Sequence, residues 1–168
     1  MIDDRLDAAL AMAREAGEVA QKMRVEPAKL KIKIKGPMDL VTAADHAVEA
    51  LLRKRILACE PGVAILGDEG CLEGNSPHVW IVDPIDGTVN FSRGMPDWAI
   101  SIACSDGNSI THGVIHAPDL NLTAWAIKGS GCFINGRQIT FDNAASQSPI
   151  VALGYSTRRR RAEYFDRI

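Results

Sequence analysis

Two aspartates, three residues apart at the end of an apolar run, constrain this chain more than any other feature. They lie in Trp80-Ile81-Val82-Asp83-Pro84-Ile85-Asp86-Gly87-Thr88-Val89-Asn90-Phe91. Val79 to Val82 reads as a buried strand that stops at Asp83. Pro84 biases Asp83 toward an extended backbone and fixes its own φ. Two acids at the end of a hydrophobic strand are costly unless something positive meets them. With a tight turn and Gly87 beside them, Asp83 and Asp86 suit a hard cation of the Mg2+ type. A backbone amide and a hydroxyl, at Gly87 and Thr88, are placed to hold a phosphate next to it. An ordinary strand-turn with an aspartate cap uses the same residue types, so spacing alone leaves both readings open.

The rest of the chain frames this stretch. Leu6, Ala9, Leu10, Ala13, Ala16, Ala20 and Met23 recur at helical spacing, predicting a structural helix over residues 4–24 with Asp3 or Asp4 as its cap. Lys29 to Lys35 alternates lysine with aliphatic residues, the period of a strand with one solvated face. Its lysines read as edge protection, with Lys35 reaching toward the motif as the alternative. Thr42 is a good N-cap for a helix running to about Ala58, and Asp45 suits its first turn. Val63 to Leu66 reads as a second buried strand, ending at Gly67-Asp68-Glu69-Gly70. Short strands over Ala99 to Cys104, Ser109 to His116 and Leu122 to Ile127 have meander spacing, with Gly129-Ser130-Gly131 and Asn135-Gly136 as hairpin turns. Ile150 to Gly154 is a further strand. Arg158 to Arg161 opens a helix reaching Ile168, read as a solvated face with a phosphate partner as the alternative. The element order predicts one layered α/β or α+β domain over 1–168.

Composition narrows the functional classes. A length of 168 residues and 46% hydrophobic content allow a sizeable core, and a net charge of -2 gives no sign of a nucleic-acid or membrane surface. No apolar run approaches a membrane span, and the acidic N-terminus does not resemble a secretory signal. Cys59, Cys71, Cys104 and Cys132 are widely spaced, which fits reduced thiols in a cytoplasm better than disulfides or zinc. His112 and His116 would share one side of a strand, as surface or core residues rather than metal ligands.

Asp83-Pro84-Ile85-Asp86-Gly87-Thr88, with Asn90-Phe91 after it and a strand before it, resembles the signature of the inositol monophosphatase family of Mg2+-dependent, lithium-sensitive phosphatases. Asp39-Leu40-Val41-Thr42-Ala43-Ala44-Asp45 is similar to that family's Asp-x-Val-Thr-x-x-Asp segment, and Gly131 to Gly136 to a piece of its sheet. The resemblance implies a five-layered αβαβα sandwich, of which this chain would supply about the first half. It implies two or three Mg2+ ions, with Li+ inhibitory. One ion would be held by Asp68 or Glu69, Asp83 and the Ile85 carbonyl, and a second by Asp86, which also faces the substrate. Thr88 and Asp45 would orient and deprotonate a water, while the Gly87 and Thr88 amides hold phosphate oxygens. The family usually reads Gly-Glu-Glu where this chain reads Gly67-Asp68-Glu69, so Asp68 is the first choice of ligand and Glu69 the second.

The implied protein is a cytoplasmic homodimer acting on a small phosphorylated substrate, with no nucleic-acid polymer and no membrane as partner. Thr88-Val89-Asn90-Phe91 favours the inositol monophosphate branch. A 3′-phosphonucleotide, fructose 1,6-bisphosphate or histidinol phosphate is the alternative substrate. No covalent phosphoenzyme is implied, because no activated nucleophile stands near the motif. Family members run longer and carry a later Trp-Asp pair, whereas Trp80, Trp98 and Trp125 precede Ile, Ala and Ala. The expectation is therefore a truncated chain, or a non-catalytic metal- or phosphate-binding half-domain.

Overall fold

The computed structural model describes residues 4–25, 33–36, 39–67 and 72–140. Asp68, Glu69, Cys71, the first part of the lysine alternation (29–32), the strand over 150–154 and the Arg158 to Arg161 run lie outside the described residues. Helix α1 (Asp4–Arg24) has acids in its first turn and Lys22 and Arg24 in its last, which complements the helix dipole. It buries Leu6, Ala9, Ala13, Ala16 and Ala20 of the face that the spacing predicts, with Met12 besides, while Leu10 and Met23 are half-buried. Strands β1 (Lys33–Gly36) and β2 (Asp39–Val41) pair antiparallel as a small separate sheet. Helix α2 (Ala43–Cys59) follows, capped by Thr42.

The main sheet then forms from β3 (Ala64–Leu66), β4 (Leu72–Glu73), β5 (Val79–Asp86), β6 (Ala99–Ser105), β7 (Ile110–Ala117), β8 (Leu122–Ile127), β9 (Gly131–Ile134) and β10 (Arg137–Ile139). A five-residue helix α3 (Thr88–Ser92) sits between β5 and β6, and a 3-10 turn (Pro118–Leu120) between β7 and β8. The sheet order is β10-β9-β8-β7-β6-β5-β3-β4. β3 and β5 are parallel, and the other neighbours are antiparallel. From β5 onward each strand lies beside its successor in the chain, the meander the sequence predicts.

One row of side chains crosses the sheet as Val82, Ile102, Val114, Trp125 and Phe133. Its first three members are buried beneath the two long helices, α1 over β6 and β7 and α2 over β5. Small residues let α1 approach closely. A Cβ on Gly17 would fall 2.7 Å from Pro118 Cγ and 3.0 Å from His116 Cδ2. His112 and His116 share the helix side of β7, as the period requires. His112 is buried, and the His116 Nδ1 lies 2.9 Å from Thr123 Oγ1. Trp125 stacks on Phe133 with centroids 3.9 Å apart.

The strand carrying the two acids is longer than the sequence predicts. It does not stop at Val82 or Asp83 but runs to Asp86. Pro84 has no N–H to give the ladder. The strand accommodates it by a register break between Asp83 and Asp86, which pair with Ser101 and Ala99 of β6. A bulge, rather than a tight turn, sets the spacing of the two carboxylates.

Candidate active site

Two segments meet at the C-terminal end of β5, and a third, the end of β3, lies beside the first half of that strand and against α2. The first is the capping box at the start of α2. Thr42 Oγ1 accepts from Ala44 N at 3.1 Å, while Thr42 N and Oγ1 donate to Asp45 Oδ2 at 2.7 and 2.6 Å. This leaves Asp45 Oδ1 facing the second segment, where Thr88 Oγ1 approaches it to 3.1 Å across 43 residues of sequence. Thr88 Oγ1 also lies 2.9 Å from the Ile85 carbonyl. A hydroxyl has one proton, so it donates to one of these oxygens at a time. Asp45 is buried and Thr88 half-buried.

The motif itself forms the second segment. Asp83 is half-buried and shares a row with Ser101, Ile115 and Ala124, on the face opposite Val82. Asp86 is exposed at the strand's end. Gly87 then adopts φ 86° and ψ 36°, a left-handed conformation, and caps α3. A Cβ there would lie 2.8 Å from the Asp97 carbonyl and 3.3 Å from Trp98 Cα. Glycine is required both by its dihedrals and by this contact. Asn90 Nδ2 donates to the same Asp97 carbonyl at 2.8 Å, and Phe91 N donates to Gly87 O at 3.0 Å. A cavity of about 330 Å³ opens beside the turn, bordered by Asp86, Gly87, Asn90, Asp97, Trp98 and Leu120. A larger one, about 650 Å³, lies elsewhere, between α1 and β8, and includes none of the motif residues.

The third segment is the end of β3. A Cβ on Gly67 would collide with Glu49 Oε1 and lie 2.7 Å from Arg53 Nη2. The Glu49–Arg53 pair on α2, 2.9 Å apart, therefore backs directly onto the residue preceding Asp68. Arg53 Nη1 also stands 3.0 Å from Glu73 Oε2, close enough for an ion pair but off the hydrogen-bonding line. One guanidinium thus spans both ends of the 67–73 segment that contains Asp68 and Glu69. The spacing of Glu49 and Arg53 gives only a helix-face pair. Their role against Gly67 has no local signal.

The donor set around the motif consists of hard oxygens: the Asp83 and Asp86 carboxylates and the Ile85 carbonyl, which has two lone pairs. Mg2+ takes such ligands. Among the described residues no group of three or more His, Cys, Asp or Glu is assembled to hold a metal.

The model of the inositol monophosphatase family matches residues 1–167. The chain belongs to that family. A Thermotoga maritima relative named fructose-1,6-bisphosphatase/inositol-1-monophosphatase is 37% identical over 145 residues, 85% of this chain and 55% of that protein. A Mycobacterium tuberculosis histidinol-phosphatase is 41% identical over 134 residues, 79% of this chain and 51% of that protein. The crystal structure of the Bartonella henselae extragenic suppressor protein suhB superposes with a TM-score of 0.77 at 33% identity, covering 81% of this chain and 54% of that one. The chain thus spans about half the length of the inositol monophosphatase relatives it matches, and its mixed sheet-and-helix architecture is that of their corresponding half. No helix among the described residues is long and apolar enough to cross a membrane.

Proposed function

We propose that this chain contributes the metal- and phosphate-binding half of a Mg2+-dependent phosphatase that hydrolyses a small phosphate monoester, inositol monophosphate first. The observation carrying this reading is the 3.1 Å contact between Thr88 Oγ1 and Asp45 Oδ1. It joins two family-like segments distant in sequence into one proton path. Asp83 and Asp86, the Ile85 carbonyl, and Asp68 or Glu69 would hold two or three ions. Bound Mg2+ supplies Lewis acidity toward water and the phosphoryl group.

The chain's own residues do the rest. Thr88 Oγ1 accepts a proton from the attacking water while passing its own to Asp45 Oδ1, so the hydroxyl is unchanged after the transfer. Asp45 is held for this by Thr42, which occupies Oδ2. The Gly87 and Thr88 amides meet phosphate oxygens. The cavity bordered by Asp86, Asn90 and Asp97 takes the alcohol part of the substrate. Homodimer assembly and a cytoplasmic setting complete the reading.

The test uses the full-length protein with inositol 1-phosphate, fructose 1,6-bisphosphate, histidinol phosphate and a 3′-phosphonucleotide, following phosphate release against Mg2+ concentration. Release from inositol 1-phosphate is expected to be fastest, to require Mg2+ and to fall with added Li+. Asp83→Asn should abolish it. Full activity in that variant, or equal release in EDTA, would overturn the assignment.

A further inference from the structure

Asp119 lies outside the motif, yet three side chains, two from α1 and one from the segment before β6, converge on it. Trp98 Nε1 donates to Oδ2 at 2.7 Å, and Gln21 Nε2 donates to Oδ1 at 2.9 Å. The Arg24 Nη2 stands 2.6 Å from Oδ2. Only 14% of the Asp119 side chain is exposed. Burial works to raise its pKa, but the hydrogen bonds from Gln21, Trp98 and Arg24, with the charge of Arg24, outweigh it and hold the carboxyl below its ordinary range. The same guanidinium covers the rings of Phe91 and Trp98 at 5.4 and 5.3 Å from their centroids. Those rings meet edge to face at 4.8 Å.

This cluster stands directly behind the motif turn. Phe91 belongs to α3 and bonds back to Gly87. Residues 97–98 are the surface on which Gly87 rests, with no room for even a methyl group between them. A close-packed contact of this kind transmits displacement rather than absorbing it. We propose that Asp119 is a positioning residue for this turn. By fixing Trp98 and Arg24 it fixes the floor under Gly87, and so sets where Asp86, Gly87 and Thr88 meet a bound phosphate. Asp119 touches no reacting atom in this scheme, and its effect on phosphate rests on the proposed function above.

The experiment compares Asp119→Ala, Trp98→Phe and their double variant with the wild type in the full-length protein, well below each melting temperature. Glu15→Ala serves as control, because it cuts a contact of α1 elsewhere, the Glu15–Arg55 surface pair with α2. Two readouts are taken: inhibition of turnover by inorganic phosphate, and amide exchange at Phe91 relative to β7 and β8. Asp119→Ala and Trp98→Phe should each weaken phosphate inhibition about tenfold, and the double variant should be no worse than either. Exchange at Phe91 should rise in both, while β7 and β8 keep their protection. Glu15→Ala should move neither readout. Should Asp119→Ala fail to fold, Asp119→Asn is expected to show the same local change in smaller measure.

A purely stabilising Asp119 would lower the melting temperature while leaving phosphate inhibition and Phe91 exchange at wild-type values. That result, or effects of the two single variants that multiply, overturns the proposal. If the wild type shows no Mg2+-dependent turnover, the functional reading fails separately. Exchange at Phe91 then still decides whether Asp119 holds the turn.

Discussion

At the N-terminal end of α1, Arg5 grips Glu60 with hydrogen bonds of 3.0 and 2.7 Å, and Trp80 Nε1 donates to the same carboxylate at 3.0 Å. At the C-terminal end, Arg24 and the Trp98 indole meet on Asp119. The two anchors repeat one arrangement about 28 Å apart along the helix, at 1.5 Å per residue. Their surroundings differ. Trp80 is the second residue of β5, at the far end of that strand from Asp86, and His78 Nδ1 lies 3.1 Å from Arg5 Nη2. Trp98 instead abuts Gly87. The same indole–carboxylate–guanidinium chemistry serves stability at one end and the geometry of the motif at the other.

The contrast is open to direct attack. The largest expected effect comes from the site itself: Thr88→Val removes the hydroxyl between Asp45 and Ile85, and should lower kcat about 10²- to 10⁴-fold with little change in melting temperature. A mild loss would mean that no proton passes through Thr88. Next, Glu60→Ala leaves Arg5 and the Trp80 N–H without their acceptor. It should cost about 1–3 kcal/mol in a urea melt while keeping kcat within twofold of wild type. A tenfold fall in kcat while the variant is still folded would erase the distinction between the two ends.

Acid offers a test of what the anchors share. At Glu60, burial works to raise the pKa, but hydrogen bonds from Arg5 and Trp80 and the charges of Arg5 and His78 bring it below the ordinary value, as at Asp119. A carboxyl depressed in the folded state adds stability that is full above its unfolded pKa, about 4. That contribution disappears as pH falls through the folded value. Urea melts of Glu60→Ala and wild type should therefore differ most at neutral pH and converge toward pH 3. Burial, reinforced by Arg14, also depresses His116. Its contribution has the same sign, being present above about pH 6.5 and lost as pH falls through the folded pKa. The smallest effect belongs to Arg55→Ala, an exposed pair, where neither melting nor turnover should change measurably.

What the sequence disclosed follows from how local each signal is. The helix over 4–24 and the meander came from periodicity, which needs no distant partner. Asp83, Asp86, Gly87 and Thr88 are contiguous enough to read as one unit, and Thr42 as cap with Asp45 in the first turn mark the start of α2 within four residues, which the structure closes into a capping box. The proximity of Asp45 to Thr88 came through family resemblance. Nothing in the residues between them, 43 positions apart, encodes it visibly. The strand runs past its expected end because the apolar run stops at Asp83, while a bulge lets the chain continue to Asp86. The Asp119 cluster was illegible for a simpler reason: Gln21 and Asp119 are 98 positions apart, and both look like ordinary surface residues.

The topology carries a further consequence for synthesis. Helix α1 packs against α2, β6 and β7, and the two strands follow it by some ninety residues. At about 5–20 residues per second, a nascent chain would carry the strand-facing part of the α1 apolar stripe uncovered for roughly 5–20 s. Helix α1 must therefore wait for the later strands before it can settle, and during that interval its apolar side chains are open to adhesion.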